Sequence, residues 1–255
     1  MINKKIVIKL VSIVPITILY MMFFITSSTV AHLPLNEMLL NEIFGQVSIG
    51  DEKAIVLVIE NIYYIIIFNL LFGTAIYHLI NEKGIYLFIR IKDRKRWFYK
   101  QTFNMLGCSA LYSGFFLTTL TIIFMLKTNT GFNLLTIQTL FILWYFISMV
   151  LSMSTIAINL IAIRYGSNIG FLLVYLFMIL QLYLSLKFDE IPIIGDNRYL
   201  LMLNPMAVIT IGLSSYTFLN ILAFINLIFL FGCLVWWGGQ YVNKIDIGLS
   251  NSETR

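Results

Sequence analysis

Histidine and cysteine are nearly missing from this sequence, and charge of either sign is scarce. Of its 255 residues two are histidines, two are cysteines and four are prolines, and only 11% are charged. Each shortage removes a class of function. Cys108 and Cys233 both lie inside apolar runs, which argues against a disulfide framework and against a zinc site, where several ligands at fixed spacing are needed. His32 and His78 cannot supply paired axial ligands to a membrane haem. No GxxxxGK[ST] phosphate loop occurs, so ATP hydrolysis by this chain is not expected. The HExxH and GxSxG patterns of intramembrane metalloproteases and serine hydrolases are likewise missing. An enzyme is not expected, and no cofactor is expected on this chain.

What the sequence does hold is apolar: 60% of residues are hydrophobic and the mean hydropathy is +0.90. Runs of about 18 or more apolar residues can cross a roughly 30 Å hydrocarbon core as helix. Six qualify: Leu10–Val30, Ala54–Ile80, Thr102–Leu126, Ile137–Ile163, Ile169–Leu186 and Phe218–Tyr241. The expected fold is an all-α polytopic membrane protein, a single transmembrane domain over 1–255. The first run exceeds the roughly 7–15 residues of a signal peptide core, so a retained span is expected there.

With six crossings both termini share one side of the membrane. That side carries Lys4, Lys5, Lys9, Lys83, Arg90, Lys92, Arg94, Lys95, Arg96, Lys100, Arg164, Lys244 and Arg255, against Lys53, Lys127, Lys187 and Arg198 on the other. The excess puts both termini in the cytoplasm by the positive-inside rule. It also accounts for the net charge of +5 without nucleic acid. Abundant Ile, Asn and Lys hint at an AT-rich bacterial genome, and the expected location is the bacterial cytoplasmic membrane.

Three places depart from plain spans and turns. Glu60, followed by Asn61 and later Asn69, lies in the second run. It is either a polar spot on a translocation path or dimer seam, or a carboxyl near the headgroups that snorkels or bonds a tyrosine. The stretch Tyr199–Leu213, interrupted at Asn204-Pro205, is too short to span. It reads as a broken, re-entrant helical hairpin with Asn204 as the cap of its second half, or else as an apolar loop flat on the membrane. Between the second and third runs, Ile85-Tyr86-Leu87-Phe88-Ile89 precedes the basic stretch from Arg90 to Lys100. A solvated loop that binds anionic lipid explains the charge. It does not explain the apolar patch, which reads as a short helix for a partner's groove. Small residues recur four apart at Ser109/Ser113, Ala110/Gly114 and Ser148/Ser152, a spacing that lets helices approach in lipid within a bundle or between copies.

Glu82-x-Gly84, a short apolar helix, Asp93-Arg94, nearby aromatics and Lys100 at the opening of the third span resemble the cytoplasmic coupling region of permease subunits of type 2 (ABC-2) ATP-binding-cassette exporters. The resemblance takes in the whole layout of six spans, cytoplasmic termini and a broken hairpin before the last span. It implies that Glu82, Gly84, Tyr86, Leu87, Phe88, Arg90, Arg94 and Lys100 couple to a cytoplasmic ATPase. ATP and Mg would then sit on that partner, and a second permease copy or paralogue would complete the transporter. Two departures are the Ile91 that replaces a usual proline and the Gly84-Ile85 that replaces Gly-Thr. The small all-membrane form resembles permeases of bacterial peptide-antibiotic export and self-protection. The implied substrate is amphipathic. A stand-alone immunity or accessory protein and a proton-coupled carrier are the competing readings.

Overall fold

The computed structural model describes residues 54–81, 93–128, 131–187 and 217–244, together with positions 15, 18, 35, 36, 38, 39 and 204. Among the described residues the ordered structure is helical. α1 is Ala54–Phe72, α2 Arg94–Thr128, α3 Leu134–Tyr165, α4 Ser167–Lys187 and α5 Thr217–Asn243. After a turn at Gly73-Thr74 the α1 path resumes as helix over residues 75–81. Among the described residues four helical stretches are long and apolar enough to cross a membrane: Ile62–Asn81, Arg94–Leu126, Leu134–Tyr165 and Ile221–Asn243. α4 adds a shorter apolar stretch, Ser167–Tyr183. These correspond to the second to sixth expected runs. Of the first run only Pro15 and Ile18 are described, both helical.

The largest shift of a boundary is at α2. Its helix begins at Arg94, not Thr102, so Arg94 and Lys100 belong to the helix instead of leading into it. Asp93 makes this start possible. Its carboxylate accepts from the Arg96 amide at 3.0 Å and its carbonyl from the Trp97 amide at 3.2 Å, which is the work of an N-cap. That charge also offsets the basic first turn, which by itself opposes the helix dipole. α3 is capped by Asn133, whose side chain accepts from the Thr136 amide at 2.8 Å. Between the first two apolar runs, residues 35, 36, 38 and 39 are helical. Leu35, Met38 and Leu39 are buried, as three apolar residues at i, i+3 and i+4 on one helix face should be.

α3 sits at the centre. It packs against α1, α2, α4 and α5, while α5 also packs on α2. Ser109 and Ser113 of α2 face Ser152 and Ser148 of α3, with hydroxyl oxygens 2.6 and 2.8 Å apart. The neighbouring Ala110/Gly114 stripe receives Trp144, whose indole N–H donates to the Ala110 carbonyl at 2.7 Å. The small-residue spacings therefore serve packing inside this bundle. One residue, Gly166, joins α3 to α4 at φ +89°, a backbone angle that glycine adopts without strain. The antiparallel pair then closes tightly at Gly170, where an added Cβ would lie 2.8 Å from the Ile158 carbonyl oxygen and 3.2 Å from the Ala162 Cβ. Gly170→Leu is expected to force α3 and α4 apart, costing about 1–3 kcal/mol by overpacking. A lowered midpoint in detergent thermal-shift measurements checks it.

Candidate functional site

Three features of the described bundle bear on function: a clamped break in α1, an apolar slot beside it, and a basic end.

The break is at Gly73-Thr74. In an uninterrupted α-helix the Tyr77 amide would donate to the Gly73 carbonyl. Here both groups turn to Asn159 of α3. The Asn159 Oδ1 accepts from the Tyr77 amide at 2.7 Å, and its Nδ2 donates to the Gly73 carbonyl at 2.6 Å and to the Thr155 carbonyl at 2.7 Å. The carboxamide thus replaces one rung of another helix's ladder and satisfies both freed backbone groups. Non-helical backbone at membrane depth survives only where protein shields it in this way. One turn away Asn69 ties α1 to α3 again: its Nδ2 donates to the Ser154 hydroxyl at 3.1 Å and its Oδ1 accepts from the Thr155 hydroxyl at 2.9 Å. Asn69, Thr155 and Asn159 are fully buried. A side chain at Gly73 would collide with the Asn69 carbonyl and the Phe171 ring, so the break is also where α4 approaches α1.

The slot lies between α3, α4 and α5 and has a volume of about 510 Å³. It reaches from Val150, Gln181 and Leu230 towards Ile161, Leu173 and Trp237, and among the described residues no charged side chain lines it. Ser154 is shared between the slot wall and the Asn69 contact. The volume falls in the roughly 300–1,000 Å³ range of sites for small ligands.

The basic end is formed by the start of α2 and the ends of α3 and α5. A side chain at Gly238 would strike the Phe98 ring and one at Gly239 the Tyr99 ring, which sets the close of α5 against the opening of α2. Arg164 lies 5.2 Å from the Tyr165 ring centroid and acts electrostatically on Tyr241. Arg94, Lys95, Arg96, Lys100, Arg164 and Lys244 therefore gather at one end. Towards the other end the described helices carry Glu60, Lys127 and Lys187.

Of the residues singled out in the sequence, Asn69 is in the buried polar cluster. Glu60 and Asn61 lie on α1, but their side chains fall outside the described residues. Glu82, Gly84, Tyr86, Leu87, Phe88 and Arg90 also lie outside the described residues, as does Pro205. Arg94 and Lys100 stand at the basic end, Lys100 exposed. Asn204 is half-buried, and its Nδ2 donates to the Gln181 carbonyl at 2.9 Å, so the segment before α5 touches α4 at the mouth of the slot. Asn159, Ser154 and Gln181 were not singled out in the sequence. A signal existed for the first two: Ser154, Thr155 and Asn159 recur on about one face of a helical run, where polar residues in lipid mark contacts. Among the described residues no group of acidic, histidine or cysteine side chains is placed to hold a metal ion.

Compared with models of protein families, with curated proteins and with solved structures, the chain matches none.

Proposed function

We propose that this chain is the membrane-spanning permease subunit of an ATP-binding-cassette exporter of the ABC-2 kind. It would pair with a second permease and with cytoplasmic ATPase subunits, and move an amphipathic substrate such as a peptide antibiotic or lipid-like toxin. The reading includes six spans, cytoplasmic termini and a coupling helix over Ile85–Ile89.

The observation that carries it is the continuity of α2. A helix of 35 residues is about 50 Å long at about 1.5 Å per residue, well beyond the roughly 30 Å hydrocarbon core. The overhang holds the Arg94–Lys100 turns, immediately after the proposed coupling segment. From there the same helix runs unbroken into the core, where two serine pairs bind it to α3. α3 in turn holds the α1 break and one wall of the slot. A push applied at the basic end by a partner would thus reach the clamp and the slot through one rigid rod.

The reading requires the basic end to face the cytoplasm, where ATP is. In a Cys108→Ala, Cys233→Ala background, Asn41→Cys and Asp196→Cys are expected to react with an impermeant maleimide on intact cells. Ser252→Cys should react only after lysis. Labelling of Ser252→Cys in intact cells would put the basic end outside, beyond the reach of any ATPase, and end the permease reading.

A further inference from the structure

The slot between α3, α4 and α5 has a direction. Along α3 it extends from Val150 to Ile161, about 16 Å at about 1.5 Å per residue. That is roughly half of a 30 Å hydrocarbon core, or one leaflet. α4 and α5 flank it along the same axis, from Gln181 and Leu230 to Leu173 and Trp237. Met153 and Met178 contribute unbranched, adaptable walls. Any ionised group placed inside would be unpaired and costly. The Ser154 hydroxyl is engaged with Asn69 and with the Leu151 carbonyl at 2.9 Å. Gln181 is different: it stands at one end of the slot, and its carboxamide bonds no side chain among the described residues. It stands level with Val150 and Leu230, which are midway along α3 and α5, so the carboxamide lies deep in the apolar length of the bundle, where a polar group needs a partner.

We propose that the slot binds one alkyl chain of an uncharged amphiphile, with the chain lying along α3 towards Trp237 and a small neutral polar group, an ester, amide or hydroxyl, held by the Gln181 carboxamide. Length, axial direction, absence of charge and a single neutral polar group at one end all select this class. Ser154 joins the slot to Asn69, so an occupant also leans on the contact between α3 and the broken helix. The proposal stands on the slot alone and holds whether or not an ATPase drives the chain.

The test uses the full chain in phosphatidylcholine nanodiscs and a monoacylglycerol carrying a mid-chain diazirine, with the photolabelled peptides mapped by mass spectrometry. Label is expected to concentrate between Leu173 and Gln181 and between Leu230 and Trp237. Unlabelled monopalmitoylglycerol should displace it at least tenfold more effectively than an alkyl sulfate of equal chain length. Ala157→Phe, which fills the slot, should lower labelling at least tenfold. Leu173→Trp at the exposed rim replaces it if that variant is not monodisperse. Gln181→Leu should weaken competition by monopalmitoylglycerol about three- to tenfold, the size of one neutral hydrogen bond. Label spread evenly over the lipid-facing sides of α2, α4 and α5 would mean ordinary annular lipid and overturn the proposal. Equal displacement by the alkyl sulfate, or Gln181→Leu without effect, would overturn the uncharged class.

Discussion

Asn159→Leu is expected to lower the thermal midpoint of the purified protein by about 5–15 °C, more than any other single change among the buried polar residues. The substitution keeps the volume nearly constant, so packing is not the cause. It strips the Gly73 carbonyl and the Tyr77 amide of their common partner, and an orphaned buried backbone group costs about 1–3 kcal/mol. Two of them would give about 2–6 kcal/mol if nothing relaxed, and partial relaxation at the turn leaves roughly 2–4 kcal/mol; each kcal/mol shifts the midpoint by about 2–4 °C at this size. Asn69→Leu provides the contrast. Its partner Ser154 already donates to the Leu151 carbonyl at 2.9 Å, and the single Thr155 hydroxyl proton has the same carbonyl within reach at 2.8 Å, so both keep a bond when Asn69 is lost. A cost below about 1 kcal/mol is expected, in line with side-chain bonds between helices in lipid. Size-exclusion profiles after a temperature series measure both variants. Equal midpoints would mean that α1 straightens and reforms its own Gly73–Tyr77 bond, and that the break is not held by Asn159.

The second large effect is expected on assembly. Under the permease reading, Leu87→Asp with Phe88→Asp places two carboxylates in an apolar groove of the ATPase. Burying an unpaired charge costs about 3–5 kcal/mol, so recovery of the ATPase with the tagged chain should fall by at least a hundredfold while insertion stays normal. Lys95→Ala should change it little, since an exposed ionic contact is worth about 0–1 kcal/mol. If the double variant retains its ATPase, Ile85–Ile89 is not a docking helix.

Much of the helical layout was legible in the runs of apolar residues, because crossing a bilayer demands length and composition that nothing else in a chain demands. Ile137–Ile163 foretold Leu134–Tyr165, and Ile169–Leu186 foretold Ser167–Lys187. The serine spacing also pointed to real contacts. Other features depended on partners far away in sequence. The start of α2 was hidden because Arg94-Lys95-Arg96 looks like a loop, although Asp93 was there to cap it. The break at Gly73-Thr74 requires Asn159, which lies in another helix. Which helix is central was not legible either: α3 and α5 are almost equally apolar, yet 78% of the most apolar stretch of α3 is buried against 22% for α5. Lipid tails are as apolar as leucine, so in a membrane composition does not tell the inside of a bundle from its outside. The slot, set by how α4 and α5 lean on α3, is a property of packing alone.

The claim that matters most is that this chain works with a separate ATP-driven subunit. Gentle purification of the tagged full chain from its native membranes, followed by quantitative mass spectrometry of everything that co-elutes, tests it directly. The account predicts an ATPase carrying a GxxxxGK[ST] phosphate loop in near-equal molar amount. Recovery of the intact, monodisperse chain with no such ATPase would contradict it and favour a stand-alone membrane protein.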